Sequence, residues 1–328
     1  MRLSVLLIGF LLASPLLAAE RAVVPGAGRL AAAIAGAQPG DVLVLTDGAY
    51  DGPVTIDRPL TITGPRGAVV NGLKQGSVVT IAASDVTLTG FTVTGSGRIN
   101  QDLDAGVKIV QDADRARVEK LLVTDNMHGI DVHGGRDTIV SGNEIIGTRS
   151  ARMNERGNGI YVWNSPGTLL QDNIIRYGRD GIFSNASADS IYRRNIMRDL
   201  RFAVHFMYTR NTEVSDNISI GNHLGFAIMF SNRAKILNNL SLGDREHGLM
   251  LNYANNADVS GNLVRGGTKK CLFIYNPQEP GLGKSLRELR HWHTFHRRFG
   301  KECADRQRLH RQPRAGQICR HPQYGMEP

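Results

Sequence analysis

His205 and Met207 stand two residues apart in RFAVHFMYTR, residues 201–210. In extended backbone, side chains two apart share a face. With Val204 and Phe206 turned inward, the imidazole and the thioether therefore point outward together. That pairing suits copper, above all Cu(I), whereas Mg, Ca or Mn would require carboxylates. Neighbouring strands lie about 4.8 Å apart and two residues along a strand span roughly 6.8 Å. At that spacing His205, Met207, Met229 and Met250 can converge on one transiently bound copper ion, provided that the chain stacks them.

Internal repeats supply the stacking. Asn173, Asn195, Asn217, Asn239 and Asn262 follow one another at 22, 22, 22 and 23 residues, each closing a polar–apolar stretch such as EVSDN or KILNN. A small residue opens a strand at the same interval: Gly159, Gly181, Ala203, Gly225, Gly248, then Cys271. Asn143 and Gly129 stand one rung earlier, and the insertion TRSARMNER lengthens that coil to 30 residues. Short strands, a fixed period and asparagines at a turn predict an all-β fold, a right-handed parallel β-helix with an internal Asn ladder. The L-x-x-L-x-L spacing of a leucine-rich repeat is missing, and a propeller would need about twice the period. The segment GRLAAAIAGAQPGDVLVL predicts a short helix ended by Gly36 that caps the open first coil, followed by a strand. GSVVTIAASDVTLTGFTVTG alternates with period two, as strands do.

Counted from each opener, positions one and three are apolar and fill the core, as in Val204/Phe206 and Phe226/Ile228. Position two runs Asp131, Tyr161, Phe183, His205, Ala227, Met250, Phe273; position four runs His133, Trp163, Asn185, Met207, Met229, Asn252, Tyr275. Both columns are expected to face solvent on one sheet. A patch of this composition marks a binding surface, with Tyr161, Trp163, Phe183, Asn252, Phe273 and Tyr275 as its partner-binding part. His128, His223 and His247 stand just before openers. Methionine is also adaptable filler at docking surfaces, so a metal-free platform for partner proteins remains a second reading. Cys271 takes the place of a small inward residue and is expected to be a buried, inert thiol.

A carbohydrate-active enzyme is the third reading, and it needs clustered carboxylates as calcium ligands or as an acid/base pair. The two columns hold a single acid, Asp131, so catalysis is not expected.

The net charge of +9 is uneven: residues 281–328 hold 11 Lys/Arg against 4 Asp/Glu, a surplus of +7, which leaves +2 for everything before them. A near-neutral body argues against nucleic acid as a partner. Residues 1–19 combine a positive start, an apolar run from Leu3 to Leu17 and small residues at Ala18 and Ala19, the pattern of a cleaved export signal. Residues 20–280 are expected to form one β-helix domain.

The strings RMNERGNGIYVWNSP, GRDGIF, GNHLGFAIMFSNRAKILNN, GDREHGLMLNYANN and KKCLFIYN resemble the NosD family, periplasmic β-helix proteins of nitrous-oxide-reductase maturation. The likeness runs from the export signal to about Pro277. It implies a non-catalytic, periplasmic role. NosD-like proteins work with the membrane and ATPase subunits of an ABC transporter and with a copper lipoprotein chaperone, and pass copper to apo nitrous-oxide reductase for its copper–sulfide cluster. The ligand candidates come from the columns, not from the likeness.

Residues 281–328 lack both the period-two alternation and an asparagine at the coil interval, so they do not continue the repeat. Codons can be chosen for Leu289 to Arg298 that, read one base later, give Cys-Gly-Ile-Gly-Ile-His-Phe-Thr-Ala-Gly, another coil. The tail is therefore expected to be out of frame and disordered.

Overall fold

The computed structural model describes residues 18–149, 152–266 and 270–275, the last six as a backbone strand in which Leu272 alone has a described side chain. The expected tail and nearly all of the expected export signal lie outside the described residues.

Three parallel sheets of eleven, ten and ten strands run the length of the molecule. Each strand pairs with its counterpart one coil away, as Asp180–Asn185 does with Phe202–Met207, and that strand with Leu224–Met229. The fold is the parallel β-helix that the repeat predicts. Many strands have only three residues, and their middle side chain points inward. Val118, Val140, Leu170, Tyr192, Val214 and Ile236 form one such column in the eleven-stranded sheet, all fully buried.

The asparagine ladder is internal. Nδ2 of Asn143, Asn173, Asn195, Asn217 and Asn239 donates to Oδ1 of the next asparagine at 2.9, 2.9, 3.0, 3.0 and 2.9 Å. The residue before each rung turns with positive φ: Gly142, Asp172, Arg194, Asp216, Asn238 and Gly261. That left-handed turn swings the following amide under the coil, where it satisfies backbone groups that the corner would otherwise strand. A second, shorter ladder at another corner uses hydroxyls. Ser165 N donates to Ser187 Oγ, and Thr209 N and Oγ1 both reach Ser231 Oγ. Its mixture of Ser and Thr hid it in the sequence.

The helix Arg29–Gly36 ends where Gly36 predicts and buries Leu30 and Ile34 against the first coil. It covers strand edges that would otherwise be open.

Candidate functional site

The ten-stranded sheet from Val54–Ile56 to Lys270–Tyr275 carries both columns. Its register sets Tyr161, Phe183, His205, Ala227 and Met250 in one line and Trp163, Asn185, Met207, Met229 and Asn252 in the other. The backbone register continues to Phe273 and Tyr275, whose side chains, like that of Cys271, lie outside the described residues.

Small openers are required by close backbone approach. A Cβ on Gly181 would stand 2.6 Å from Ala203 O and 3.0 Å from Met197 Cγ, and one on Gly129 would stand 2.4 Å from Gly159 O. The opener therefore points inward like the residue after it. This break in alternation puts the residue before the opener on the outer face, beside position two. Asp180 reaches His205 in this way.

His205 is on the outer face but is only 7 % exposed, less open than the alternation suggested. Its ring stacks on Phe183 with centroids 4.7 Å apart and meets Phe202 edge-on at 5.1 Å. Nδ1 lies 3.0 Å from Asp180 Oδ2. Arg201 grips the same carboxylate with Nε on Oδ1 at 2.7 Å and Nη2 on Oδ2 at 2.5 Å. Burial pushes the Asp180 carboxyl up, but the hydrogen bonds from His205 and Arg201 outweigh it and hold the group below the usual carboxylate range. An ionised Asp180 accepts the proton of Nδ1, which leaves the lone pair on Nε2. That atom is buried without a hydrogen-bond partner, and its neighbour one strand on is only Ala227.

Met207 and Met229 are register partners and both are half-buried, as is Met250 beside Ala227. Among the described residues no three His, Cys, Asp or Glu side chains come together as a metal group. The donors that this face could offer a metal near His205 are one imidazole and methionine thioethers, a set that suits soft ions.

Of the expected partner-face residues, Tyr161, Trp163 and Phe183 enter ring stacks. Tyr161 lies on Phe183 at 5.2 Å, and Trp163 on His133 at 4.3 Å. At the turn after the site strands, Tyr208, Phe230 and Tyr253 build a further stack at 5.3 and 5.0 Å, which the columns did not include. Tyr208 is 59 % and Phe230 39 % exposed. Of the other histidines, His128 is locked by Asn100 Oδ1 at Nε2 and by the amide of Asn158 at Nδ1, whereas His223 meets Glu246 at 3.3 Å.

A sequence profile described as "Periplasmic copper-binding protein (NosD)" matches residues 147–282. A "Probable ABC transporter binding protein NosD" of Stutzerimonas stutzeri is 32 % identical over 246 residues, 71 % of this chain and 56 % of that one. Its namesake in Pseudomonas aeruginosa is 30 % identical over 245 residues, 71 % of this chain and 57 % of that one. The chain is similar to NosD proteins over these residues. It spans little more than half the length of these NosD relatives. The NosD match contains Asp180, Arg201, His205 and the three methionines, whereas Asp131 and His133 lie upstream of it. Among solved structures, a Paenibacillus alginate lyase superposes with TM-score 0.55 at 17 % identity, covering 78 % of this chain and 98 % of the lyase. A Yersinia enterocolitica exopolygalacturonase does so with TM-score 0.59 at 12 % identity, covering 80 % and 67 %. At such identities the likeness is one of fold.

Proposed function

We propose that this protein is a periplasmic accessory protein that receives Cu(I) as cargo at His205 and delivers it to apo nitrous-oxide reductase during assembly of the copper–sulfide cluster. The ion arrives from a copper lipoprotein chaperone, and the work is shared with the membrane and ATPase subunits of an ABC transporter. Copper is bound transiently and no bond of a substrate is cleaved, so the protein is not an enzyme.

The observation that carries this reading is the buried, unpartnered Nε2 of His205 on the strand whose next outward position, Met207, is in register with Met229. A hydrogen-bonded carboxylate behind a ligating imidazole fixes its tautomer and raises its basicity. Thioethers add soft donors without a negative charge, which favours a site that binds copper and releases it again. The copper-binding description of the family and the transporter named in its relatives point the same way. Among the described residues, Asp180 is engaged by Arg201 and His205 and stands two strands away from Asp131, which argues against a carboxylate acid/base pair at that position.

Titration of the signal-less protein with Cu(I) against a chromophoric chelator tests it. The triple variant His205→Ala, Met207→Ala, Met229→Ala should keep its fold and bind Cu(I) more than tenfold more weakly, a factor of ten being about 1.4 kcal/mol. Unchanged affinity favours the metal-free docking platform, which the exposed rings of Tyr208 and Phe230, stacked with the half-buried Tyr253, support independently.

A further inference from the structure

Three coils upstream of His205, the same outer face holds a carboxylate with nothing to bind. Asp131 is 0 % exposed, and neither of its oxygens has a hydrogen-bond partner. Nδ1 of His133, on the same strand and the same face, is also buried without one. The two groups face each other with Nδ1 3.8 Å from Oδ1. That is too long for a hydrogen bond and suits two atoms that share a third body. Lys108 comes to 3.9 Å from Oδ2, also beyond hydrogen-bonding range, and its ammonium instead donates to Asp102 O at 2.8 Å. An isolated buried carboxylate costs several kcal/mol unless it is paired, protonated or bound to a cation. Burial pushes the Asp131 carboxyl up, against the opposing pull of His133 and Lys108.

The pair is held in place. The His133 ring stacks on Trp163 with the planes 21° apart, and Tyr161 meets it edge-on. Asp131 is fixed in register between Lys108 and Tyr161. His133 keeps a third of its side chain exposed, so the orphaned atoms lie just beneath the surface.

We propose that Asp131 and His133 form a second cation site, one that takes a divalent first-row ion such as Zn2+ or Cu2+ through a carboxylate oxygen and Nδ1. Such a ligand accounts for the orphaned atoms together. Oxygen and imidazole donors select a harder ion than the thioethers around His205. Two protein ligands leave the remaining positions to water or to a donor from an incoming protein. The nearby Lys108 ammonium weakens binding, so the ion exchanges readily. Asp131 and His205 stand three strand steps apart, about 14 Å, with the rings of Tyr161 and Phe183 between them. One ion cannot serve both. This site does not depend on the copper-delivery reading.

The test uses Zn2+ by calorimetry and Cu2+ by electron paramagnetic resonance on the signal-less protein. Asp131→Asn is isosteric and removes the buried charge; His133→Phe keeps the stack on Trp163. Each should weaken divalent binding at least about tenfold, a change of ~1.4 kcal/mol. His133→Phe should also remove the imidazole nitrogen coupling from the Cu2+ spectrum. His205→Ala should leave the divalent site intact, and Asp131→Asn should leave Cu(I) affinity intact. A urea midpoint for Asp131→Asn at or above that of the parent shows that the fold is kept. Absence of divalent binding up to millimolar ion, or binding that survives either substitution, overturns the proposal and leaves the pair holding water alone.

Discussion

His205 Nδ1 lies 3.0 Å from Asp180 Oδ2, and this contact decides which ring nitrogen is left to bind. Asp180 is itself clamped by Arg201 through both oxygens, so the carboxylate cannot turn away. The imidazole is thus oriented twice, by this bond and by the Phe183 and Phe202 rings that enclose it.

Asp180→Asn should therefore weaken Cu(I) binding by about 10- to 100-fold, the usual effect of removing a carboxylate behind a ligating histidine. Chelator competition at neutral pH measures it. The same carboxyl makes a pH signature. Its folded pKa is lowered, so its contribution to stability is present above the ordinary carboxylate range and is lost as pH falls through the folded value. Asp180→Asn should flatten the acid limb of the stability profile.

Each rung of the asparagine ladder holds the next. Asn217 Oδ1 accepts from both the amide and the side chain of Asn195, while its Nδ2 donates to Tyr192 O and Asn239 Oδ1. Asn217→Ala strands several of these groups and should cost on the order of 3 kcal/mol, read as a lower urea midpoint. Asn217→Asp should be worse at neutral pH, because a carboxylate oxygen would face two acceptors. It should recover partly in acid, where a protonated carboxyl can donate.

The ladder and the two columns were legible because one residue type recurred at one period, and stacking turns a period into a line in space. The pairing of Asp180 with His205 was not. It depends on Gly181 turning its Cα inward against Ala203 O, which breaks the alternation by one place. The only trace was a polar residue directly before an opener, in GRDGIF and again at His128. The burial of His205 was hidden for a different reason. Outward on a sheet means exposed only if the neighbours are short, and here Phe183 and Phe202 close over the ring.

Tyr208 and Phe230 sit at turns with φ of 56° and 48°, a conformation that bulky residues adopt at a cost. The stacks of Tyr208 on Phe230 and of Phe230 on Tyr253 return roughly 0.5–1.5 kcal/mol each, comparable with the ~1–2 kcal/mol per residue of the left-handed backbone. Replacing both with glycine should change stability by less than about 1 kcal/mol and leave Cu(I) affinity unaltered. If the stack serves docking, the same double variant should bind apo nitrous-oxide reductase at least about tenfold more weakly. Surface plasmon resonance measures that loss.

His128 gives a pH dependence of the fold itself. Burial first, then the charges of Arg179 and Lys108, lower its pKa from 6.5 to about 4. Both ring nitrogens are engaged by neutral groups: Nδ1 accepts from the amide of Asn158, which assigns the proton to Nε2 facing Asn100 Oδ1. Protonation would force Nδ1 to donate towards an N–H. The unfolded chain binds the proton at the ordinary histidine value, so stability is complete above that value and declines as pH falls towards about 4. The loss from this one group is on the order of 3 kcal/mol. Urea midpoints measured between pH 7.5 and 4 should fall along this limb. His128→Gln, which stays neutral, should flatten it, and an unchanged slope in that variant would show that the limb belongs to other groups.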